Sequence, residues 1–316
     1  MRNDYLDFEE PIAALEKKIQ DLQSSKESDK NNLSEEISKL NNSIIKLTEQ
    51  IYNNLDIWQC VQVARHPQRP HLLDFVEKIC SNFDELHGDR QYGDDRALLG
   101  GLATIGDHRL VLIGHEKGRT TEDKINRNFG MSQPEGYRKA ARLMKLAERF
   151  SLPVVTLVDT PGAYPGIDSE ERGQSEAIAN NLGLMSSLKT PILVNIIGEG
   201  GSGGALAIAV GDHVTMMEYA TYSVASPEAC ASIVWRDVEK ASEAAEAMQM
   251  NAESILKLNL IDEVIDEPLG GAHRNPDQAA LLLKKSIIKN LENLKSQSIS
   301  ALLDIRYKRL MSYGNK

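Results

Sequence analysis

The chain has 316 residues, 41% of them hydrophobic, and a formal net charge of −10 at pH 7. This length and composition suffice for one large hydrophobic core or two modest ones. The negative charge argues against binding of DNA or RNA through the whole surface, because such binding needs a basic face that releases counterions.

Targeting signals and metal-binding patterns are not evident in the sequence. No run of 18 apolar residues is present, and the first segment, MRNDYLDFEE, lacks the apolar core of a secretory signal. The cysteines, Cys60, Cys80 and Cys230, lie far apart without CxxC spacing, which argues against a zinc site or a disulfide framework. We therefore expect a reduced, cytoplasmic protein that holds no metal and does not enter a membrane.

Residues 1–66 are predicted to form a helical hairpin that serves as an assembly arm. Apolar residues recur at spacings of three and four on both sides of a polar segment, Ser24–Asn32. Such a narrow apolar seam is typical of a helix that packs along another helix. The seam residues are Ile12, Leu15, Ile19, Leu22, Leu33, Ile37, Leu40, Ile44, Leu47 and Ile51.

Residues 67–275 are predicted to form an α/β domain. The amphipathic segment 71–83 predicts a helix, and residues 96–116 predict two strands around a Gly-Asp turn. Two apolar runs, 152–159 and 191–197, predict buried strands that pair in parallel, because helical segments alternate with them. Further helices are predicted at 134–150, at 173–188, after Ser226 and, as a C-terminal group packing on the domain or on a partner, within 276–316.

Two glycine-rich segments, residues 159–166 and 198–204, each follow one of the buried strands. In parallel sheets ligands bind beyond the carboxyl ends of the strands. Glycine lets a ligand oxygen approach the main chain, and the first N–H groups of a helix have no intrahelical partner. We therefore predict a cradle for a developing oxyanion, in which the helix dipole also favours negative charge. Its donors are the N–H groups of Gly203 and Gly204, with Gly162 or Ala163.

Two other chemistries compete with this interpretation. The sequence GGSGG fits the nucleophile elbow of a serine hydrolase, with Ser202 as nucleophile. Asp237, Asp262 or Asp266, followed by His273, would supply the acid and the base in the required order, and this alternative stays open. A GTPase is disfavoured, because the DTPG segment at 159–162 has no accompanying GxxxxGK[ST] loop.

Four segments in order resemble the alpha subunits of bacterial acetyl-CoA carboxylase carboxyltransferases. They are 115–150 (HEKGRTTEDKINRNFGMSQPEGYRKAARLMKLAERF), 158–182 (VDTPGAYPGIDSEERGQSEAIANNL), 197–235 (IGEGGSGGALAIAVGD and onward to SIVW) and 269–276 (LGGAHRNP). The resemblance is strong over about residues 67–275. It implies a crotonase-like fold of repeated β-β-α units, with the N-terminal hairpin and the C-terminal helices added.

The resemblance also implies a reaction and its partners. The family transfers the carboxyl group of carboxybiotin, held on a biotin carboxyl carrier protein, to acetyl-CoA. The product is malonyl-CoA, in the first committed step of fatty acid biosynthesis, and biotin carboxylase performs the preceding half-reaction. An alpha subunit of this family works with a beta subunit in an α2β2 assembly, and biotin is not attached to it covalently.

Within that resemblance, the glycine segments would serve the biotin. The N–H groups of Gly203 and Gly204, with Gly162 or Ala163, would hold its carbonyl oxygen, and the biotin anion itself could act as the base. The resemblance assigns no acid–base pair to this chain. Gly201 and Ser202 would shape the loop, while Tyr164 and Pro165 would line the biotin side.

The remaining polar residues leave further interpretations open. A basic cluster could lie near CoA phosphates, at the beta-subunit interface or on a solvated face. His115 and His213 are expected to be structural. An enoyl-CoA hydratase or isomerase would share the fold and would need Glu199 or Glu218 as its acid or base, whereas a scaffold built on the hairpin would bind without turnover. The basic cluster comprises Lys117, Arg119, Lys124, Arg127, Arg138 and Lys139.

Overall fold

A computed structural model of the chain describes residues 5–24 and 30–314. Its centre is a single eight-stranded sheet. The strands are β1 (Cys80–Glu85), β2 (Leu98–Ile105), β3 (His108–His115), β4 (Val154–Thr160), β5 (Ile192–Gly201), β6 (His213–Met217), β7 (Thr221–Ser223) and β8 (Glu263–Ile265).

The helices of the described residues surround this sheet. They are α1 (Glu10–Ser24), α2 (Lys30–Tyr52), α3 (Ile57–Ala64), α4 (Leu72–Ile79), α5 (Thr121–Asn126), α6 (Pro134–Arg149), α7 (Ile167–Glu171), α8 (Gln174–Ser187), α9 (Ser202–Leu206), α10 (Pro227–Trp235), α11 (Ala241–Met248), α12 (Ala252–Lys257), α13 (Pro276–Lys295) and α14 (Ile299–Ser312). None of them is both long and apolar enough to cross a membrane.

The sheet combines an antiparallel edge with a parallel centre. Its order is β1-β2-β3-β4-β5-β6-β8, and β7 pairs with the end of β5. The first three strands are antiparallel, whereas β3, β4, β5, β6 and β8 run parallel. Every residue of β4 is buried, as expected for a parallel strand that helices cover on both faces. The parallel arrangement places the ends of β3, β4 and β5 at one edge.

Two sequence-based boundaries were wrong. The helix predicted over 71–83 ends at Ile79, because Cys80–Glu85 pair with β2 as an edge strand. Ladder hydrogen bonds and cross-strand packing override a local helical periodicity there. Likewise β5 continues to Gly201, four residues beyond the predicted strand, since Gly200 pairs with Thr160 and Gly201 with Ser223.

The N-terminal helices α1 and α2 pack against each other, as the apolar seam predicted. The central residues of the predicted turn, 25–29, lie outside the described residues. The arm is tied to the domain through Glu9, whose carboxylate accepts hydrogen bonds from Tyr52 (3.0 Å) and Arg274 (3.2 Å).

The last helix, α14, is anchored by one buried arginine. The Arg306 guanidinium donates to both carboxylate oxygens of Asp212, at 2.8 and 2.7 Å. It also donates to the carbonyls of Met185, Leu188 and Thr190, at the end of α8 and the start of the segment leading to β5. Every donor direction of the guanidinium is thereby used, so the charge is compensated although the side chain is fully buried.

Arg306→Gln should destabilise the chain, because it leaves the Asp212 carboxylate buried without its charge partner. Removing one partner of a buried pair costs about 3–5 kcal/mol, which corresponds to a fall in Tm on the order of 10 °C for a chain of this size. Scanning calorimetry measures it. Lys308→Gln, an exposed position two residues away on the same helix, is the control. Equal effects of the two variants would contradict the anchoring role.

Candidate functional site

The two glycine-rich segments meet at the carboxyl ends of β4 and β5. A Cβ atom built on Gly204 would lie 2.4 Å from the carbonyl carbon of Gly162 and 2.6 Å from the nitrogen of Ala163. A Cβ atom on Gly201 would lie 2.2 Å from the carbonyl oxygen of Pro161. The structure therefore brings together the loop after β4 and the turn into α9, as the parallel topology predicted.

These contacts change the explanation of the glycines. The bare faces of Gly201 and Gly204 are covered by the neighbouring loop, so their missing side chains permit loop-to-loop packing and do not open space for a ligand. Gly203 differs, because the atom nearest to a Cβ built on it belongs to the Ile178 side chain, at an ordinary contact distance of 3.6 Å. Gly203 is also only half-buried. Of the three glycines, Gly203 alone has an open face.

The backbone donors of the two loops are not equivalent. The Gly162 N–H already donates to the Thr160 hydroxyl oxygen (3.1 Å), and that hydroxyl donates to the Gly162 carbonyl (2.7 Å). Within the described residues, the Ala163 N–H has no acceptor. Gly203 and Gly204 are the second and third residues of α9, where N–H groups precede the first intrahelical hydrogen bond. The unused donors are therefore those of Ala163, Gly203 and Gly204.

Ser202 lies at the junction of β5 and α9 in a left-handed backbone conformation, with φ of 54°. Its side chain is exposed, and its hydroxyl forms no hydrogen bond with any residue that the structure describes. The triad predicted with it is not assembled. His273 is buried against the ring of His66, with centroids 3.9 Å apart, and Asp262 binds Arg309 and the Val214 N–H.

The surroundings of His273 indicate a structural role for its ring. Burial, and then the nearby His66 and Arg69, lower the pKa of His273 to about 2, so its ring is neutral. Side-chain ligand atoms of Glu9, His66 and His273 lie within 4.8 Å of one another, the only such grouping in the described residues that could hold a metal ion. The Glu9 carboxylate is already bound by Arg274 and Tyr52.

A buried ion-pair network lies directly beneath the two loops. The Lys117 ammonium is 2.6 Å from the Asp159 carboxylate and 2.7 Å from the Glu199 carboxylate. Asp159 also accepts the Glu199 N–H (2.9 Å), and Glu199 binds Arg65 (2.6 Å). Lys117 follows β3, Asp159 belongs to β4 and Glu199 to β5, so the network joins the ends of three adjacent strands. A Cβ atom on Gly198 would lie 2.3 Å from the Asp159 carboxylate, so a larger residue at this position would collide with that side chain.

Lys117 and Glu199 keep their charges near neutral pH. Burial alone would lower the pKa of Lys117, but Asp159 and Glu199 outweigh it and raise that pKa. Burial alone would raise the pKa of Glu199, but Lys117 and Arg65 outweigh it and lower that pKa to about 2. Glu199 is therefore ionised and cannot donate a proton, which removes it as the acid of a hydratase.

Glu218, the other candidate acid, lies elsewhere. Burial raises its pKa, and its carboxylate accepts the Glu267 N–H (3.0 Å). It lines a cavity beside Tyr52 and Cys60, and no residue of the two glycine loops lines that cavity. The structure therefore separates Glu218 from the candidate site.

The basic residues predicted as one cluster are divided among separate ion pairs. Lys117 belongs to the network above. The others bind nearby carboxylates: Arg119 binds Asp74, Arg127 binds Asp123, Arg138 binds Asp89 and Lys139 binds Asp94. Lys124 instead lines a small cavity with Phe129. The solvated-face interpretation is wrong for Lys139, which is 1% exposed.

The remaining sequence-based candidates, Tyr164 and Pro165, directly follow Ala163 in the loop after β4. The Tyr164 N–H donates to the Ser132 carbonyl (3.0 Å), and the Tyr164 carbonyl accepts from Gln174 (2.9 Å). Pro165 is exposed. A cavity of about 540 Å³ adjoins Ser202 and Gly203, and its other walls are mostly apolar, including Leu206 and Val224.

The two histidines expected to be structural fit that role. His115 is fully buried, and burial followed by the charge of Lys117 lowers its pKa to about 3, so the ring is neutral. His213 is the first residue of β6, and its ring lies 3.5 Å from the Glu263 carboxylate.

The sequence reasoning missed Asp159, Thr160 and Arg65. Asp159 and Thr160 stand in the DTPG segment, whose sequence pattern by itself indicates only a nucleotide-switch motif. The signal available was topological, since Lys117, Asp159 and Glu199 each stand near the end of a predicted strand, and such ends meet in a parallel sheet.

Comparison with known proteins gives the family. The family model described as acetyl co-enzyme A carboxylase carboxyltransferase-like matches residues 5–314. The chain is 57% identical over 314 residues to the acetyl-coenzyme A carboxylase carboxyl transferase subunit alpha of Chromohalobacter salexigens, covering 99% of each chain. It is 58% identical to the protein of the same name from Coxiella burnetii, again covering 99% of each.

Solved structures that resemble the chain confirm the crotonase-like fold. One is the transcarboxylase 12S core with methylmalonyl-coenzyme A bound, with a TM-score of 0.60 and 19% identity over 74% of this chain and 44% of that one. This chain thus spans less than half of that protein. Another is a Pseudomonas malonate decarboxylase hetero-tetramer in complex with coenzyme A, with a TM-score of 0.60 and 15% identity over 76% of this chain and 94% of that one.

Gly204→Ala should shift the loop after β4, because the new Cβ atom overlaps the Gly162–Ala163 peptide. Backbone displacement of this kind costs about 1–3 kcal/mol, so scanning calorimetry should show a lower Tm. Gly203→Ala is the matched control, since its Cβ atom has ordinary contacts and alanine favours a helix. If both variants have the Tm of the wild type, the position of the loops does not depend on the contact between Gly204 and the Gly162–Ala163 peptide.

The ion pairs of Glu199 should contribute to acid sensitivity. A carboxylate whose pKa falls from 4.5 to about 2 on folding stabilises the fold above about pH 4.5, on the order of 3 kcal/mol, and this is lost as pH falls through about 2. The Tm deficit of Glu199→Gln relative to wild type should therefore be large at pH 7 and smaller at pH 3. Glu253→Gln, at an exposed pair with Lys257, should show no such convergence.

Proposed function

Because the chain belongs to the acetyl co-enzyme A carboxylase carboxyltransferase-like family, we propose that its two glycine loops form the biotin side of a carboxyltransferase site. The reaction is transfer of a carboxyl group from carboxybiotin to acetyl-CoA, which gives malonyl-CoA. One observation carries this proposal: two loops at the ends of adjacent parallel strands touch each other, and three of their backbone N–H groups have no acceptor among the residues that the structure describes.

The unused N–H groups suit an oxygen that becomes negative. The ureido oxygen of biotin gains negative charge as the carboxyl group leaves. The amides of Ala163, Gly203 and Gly204 would hold that oxygen, and one fixed donor of this kind contributes about 3–4 kcal/mol to a transition state. Gly162 is the weaker candidate, because its N–H already binds Thr160. Gly201 would fix the turn by its packing on Pro161.

The apolar cavity beside Gly203 would receive the hydrocarbon part of biotin. Its position next to Ser202 and its walls of Leu206 and Val224 fit a compact ring system that carries one polar edge. Tyr164 and Pro165 would line the entrance. Lys117 and Glu199 are not assigned a proton transfer, since both are held in their ion pairs.

Exposed apolar side chains beside the cavity and in the segment that follows it along the chain point to a partner subunit. Val224, which lines the cavity, is 81% exposed, and Ile233 is 77% exposed, with Val234 and Val238 also exposed. Exposed apolar side chains in such numbers suggest a protein interface. We assign it to the beta subunit of an α2β2 assembly, which would bind acetyl-CoA and complete the site. Biotin carboxyl carrier protein and biotin carboxylase are then the further partners, and the cytoplasm, which suits the free cysteines, is the expected location.

Reconstitution tests the proposal. Malonyl-CoA decarboxylation that depends on added biotin, the reverse reaction, should be absent with this chain or the beta subunit alone and present in the mixture. Activity of this chain alone, or labelling of Ser202 by a fluorophosphonate, would instead support the serine hydrolase. Turnover of an enoyl-CoA without biotin would support a hydratase or isomerase, and assembly without any turnover would support the scaffold.

Two substitutions separate the backbone from the serine hydroxyl. In the reconstituted complex, Ser202→Ala should keep most of the activity, because the hydroxyl is not the reagent. Gly204→Ala should lower kcat at least tenfold, because it moves the Ala163 amide, while Gly203→Ala should have a smaller effect. Size-exclusion chromatography shows whether each variant still assembles. Complete loss of activity in Ser202→Ala alone would overturn the backbone assignment.

A further inference from the structure

A second cavity, of about 860 Å³, lies on the other side of α8 from the glycine loops. On α8, Ile178 packs beside Gly203 and Leu182 lines the apolar cavity, whereas Glu176 and Asn180 face this second space. The loop before β2 and the exposed side of α6 form its other walls. Its cationic side chains are Arg90, Arg138, Arg142, Lys145 and Arg172.

The acidic groups lining the cavity only partly neutralise this charge. Asp89 accepts the backbone N–H groups of residues 91–93 and the guanidinium of Arg138 (2.8 Å), so its carboxylate is already engaged. Arg172 is paired with Glu135 (3.1 Å). Glu176 is exposed and forms no ion pair with a described residue, so it is the one unpaired carboxylate among the described residues that line the cavity.

Three cations remain without a carboxylate partner in the described part of the chain. Arg142 donates only to backbone carbonyls, those of Gly88 (3.0 Å) and of Leu86 (2.9 Å) and His87 (3.1 Å). Arg90 donates to the His87 carbonyl (2.8 Å), and Lys145 is exposed. Burial, and then the positive charge of Arg90, lower the pKa of Arg142, although Asp94 and Asp89 act in the opposite direction.

The backbone presents Arg90 in a costly conformation. Its φ is 65°, in the left-handed region that a non-glycine residue seldom adopts. The turn that imposes it is fixed by the Asp89 carboxylate, which binds the three following N–H groups. The first turn of α8, after Gly173, also borders the cavity, and the free N–H groups of a helix start add to the positive potential.

We propose that this cavity binds a phosphorylated small molecule that carries two phosphoryl groups. Fixed guanidinium groups match phosphate oxygens in pairs, and a lysine adds a point charge. The volume exceeds that of one phosphate and lies in the range of sites for nucleotide-sized ligands. The site is separate from the glycine loops, so it does not rest on the proposed carboxyl transfer.

Isothermal titration calorimetry of the full-length chain tests this site. The probes are inorganic pyrophosphate and adenosine 3′,5′-bisphosphate, with adenosine as the uncharged reference and sodium chloride holding the ionic strength constant. The test variant is Arg90→Gly/Lys145→Gln, in which glycine suits the left-handed backbone and neither change removes a buried contact. The control is Arg236→Gly/Lys285→Gln, which removes the same charge from an arginine of equal conformation (φ of 57°) and an exposed lysine outside the cavity.

Saturable binding of at least one phosphorylated probe is expected, weakened at least tenfold in the test variant and less than twofold in the control. Equal binding of the two probes would identify the phosphoryl groups as the whole ligand. Tighter binding of the adenosine bisphosphate would identify a nucleotide. Absence of saturable binding, or equal loss in both variants, would overturn the proposal.

Discussion

The ammonium group of Lys117, held between two carboxylates, is the interaction on which the site depends. It joins Asp159 at the end of β4 to Glu199 near the end of β5, and it does so from the segment after β3. In a parallel sheet the hydrogen bonds fix the strands up to their ends, but the loops beyond need another constraint. The Lys117 ammonium supplies it, because it contacts the Asp159 and Glu199 carboxylates at the same time and so fixes the distance between the two strand ends.

The glycines of the site follow from that constraint. Once β4 and β5 are tied at their ends, the two loops after them must pass within van der Waals contact. Gly198 then faces the Asp159 carboxylate, and Gly201 and Gly204 face the backbone of the other loop. Glycine is needed wherever main chain meets main chain at this distance.

Much of this arrangement could be predicted from the sequence, and there are physical reasons why the rest could not. The strands around the Gly106–Asp107 turn, the helix beginning at Pro134 and the α/β class followed from periodicity and turn residues, and the resemblance of the glycine motifs gave the family. The strand Cys80–Glu85 could not be predicted, because its pairing with β2 is a long-range contact. The ion pairs of Lys117 could not be predicted either, because a lysine among other basic residues has the pattern of an exposed side chain. Its partner carboxylates stand 42 and 82 residues later in the sequence, and only the fold brings them into contact. The division of donors between Gly162 and Ala163 depends on one threonine rotamer, which no pattern encodes.

The anchoring of α14 has a consequence for how local unfolding spreads through the protein. Arg306 completes the hydrogen bonds of carbonyls 116 to 121 positions earlier, as well as of Asp212. The Asp212 carboxylate in turn accepts the N–H of Ile192, the first residue of β5. Detachment of α14 would leave that carboxylate buried without its cation, at the start of a central strand. The last helix is therefore expected to open together with the sheet, and its amide hydrogens to exchange with solvent as slowly as those of β5.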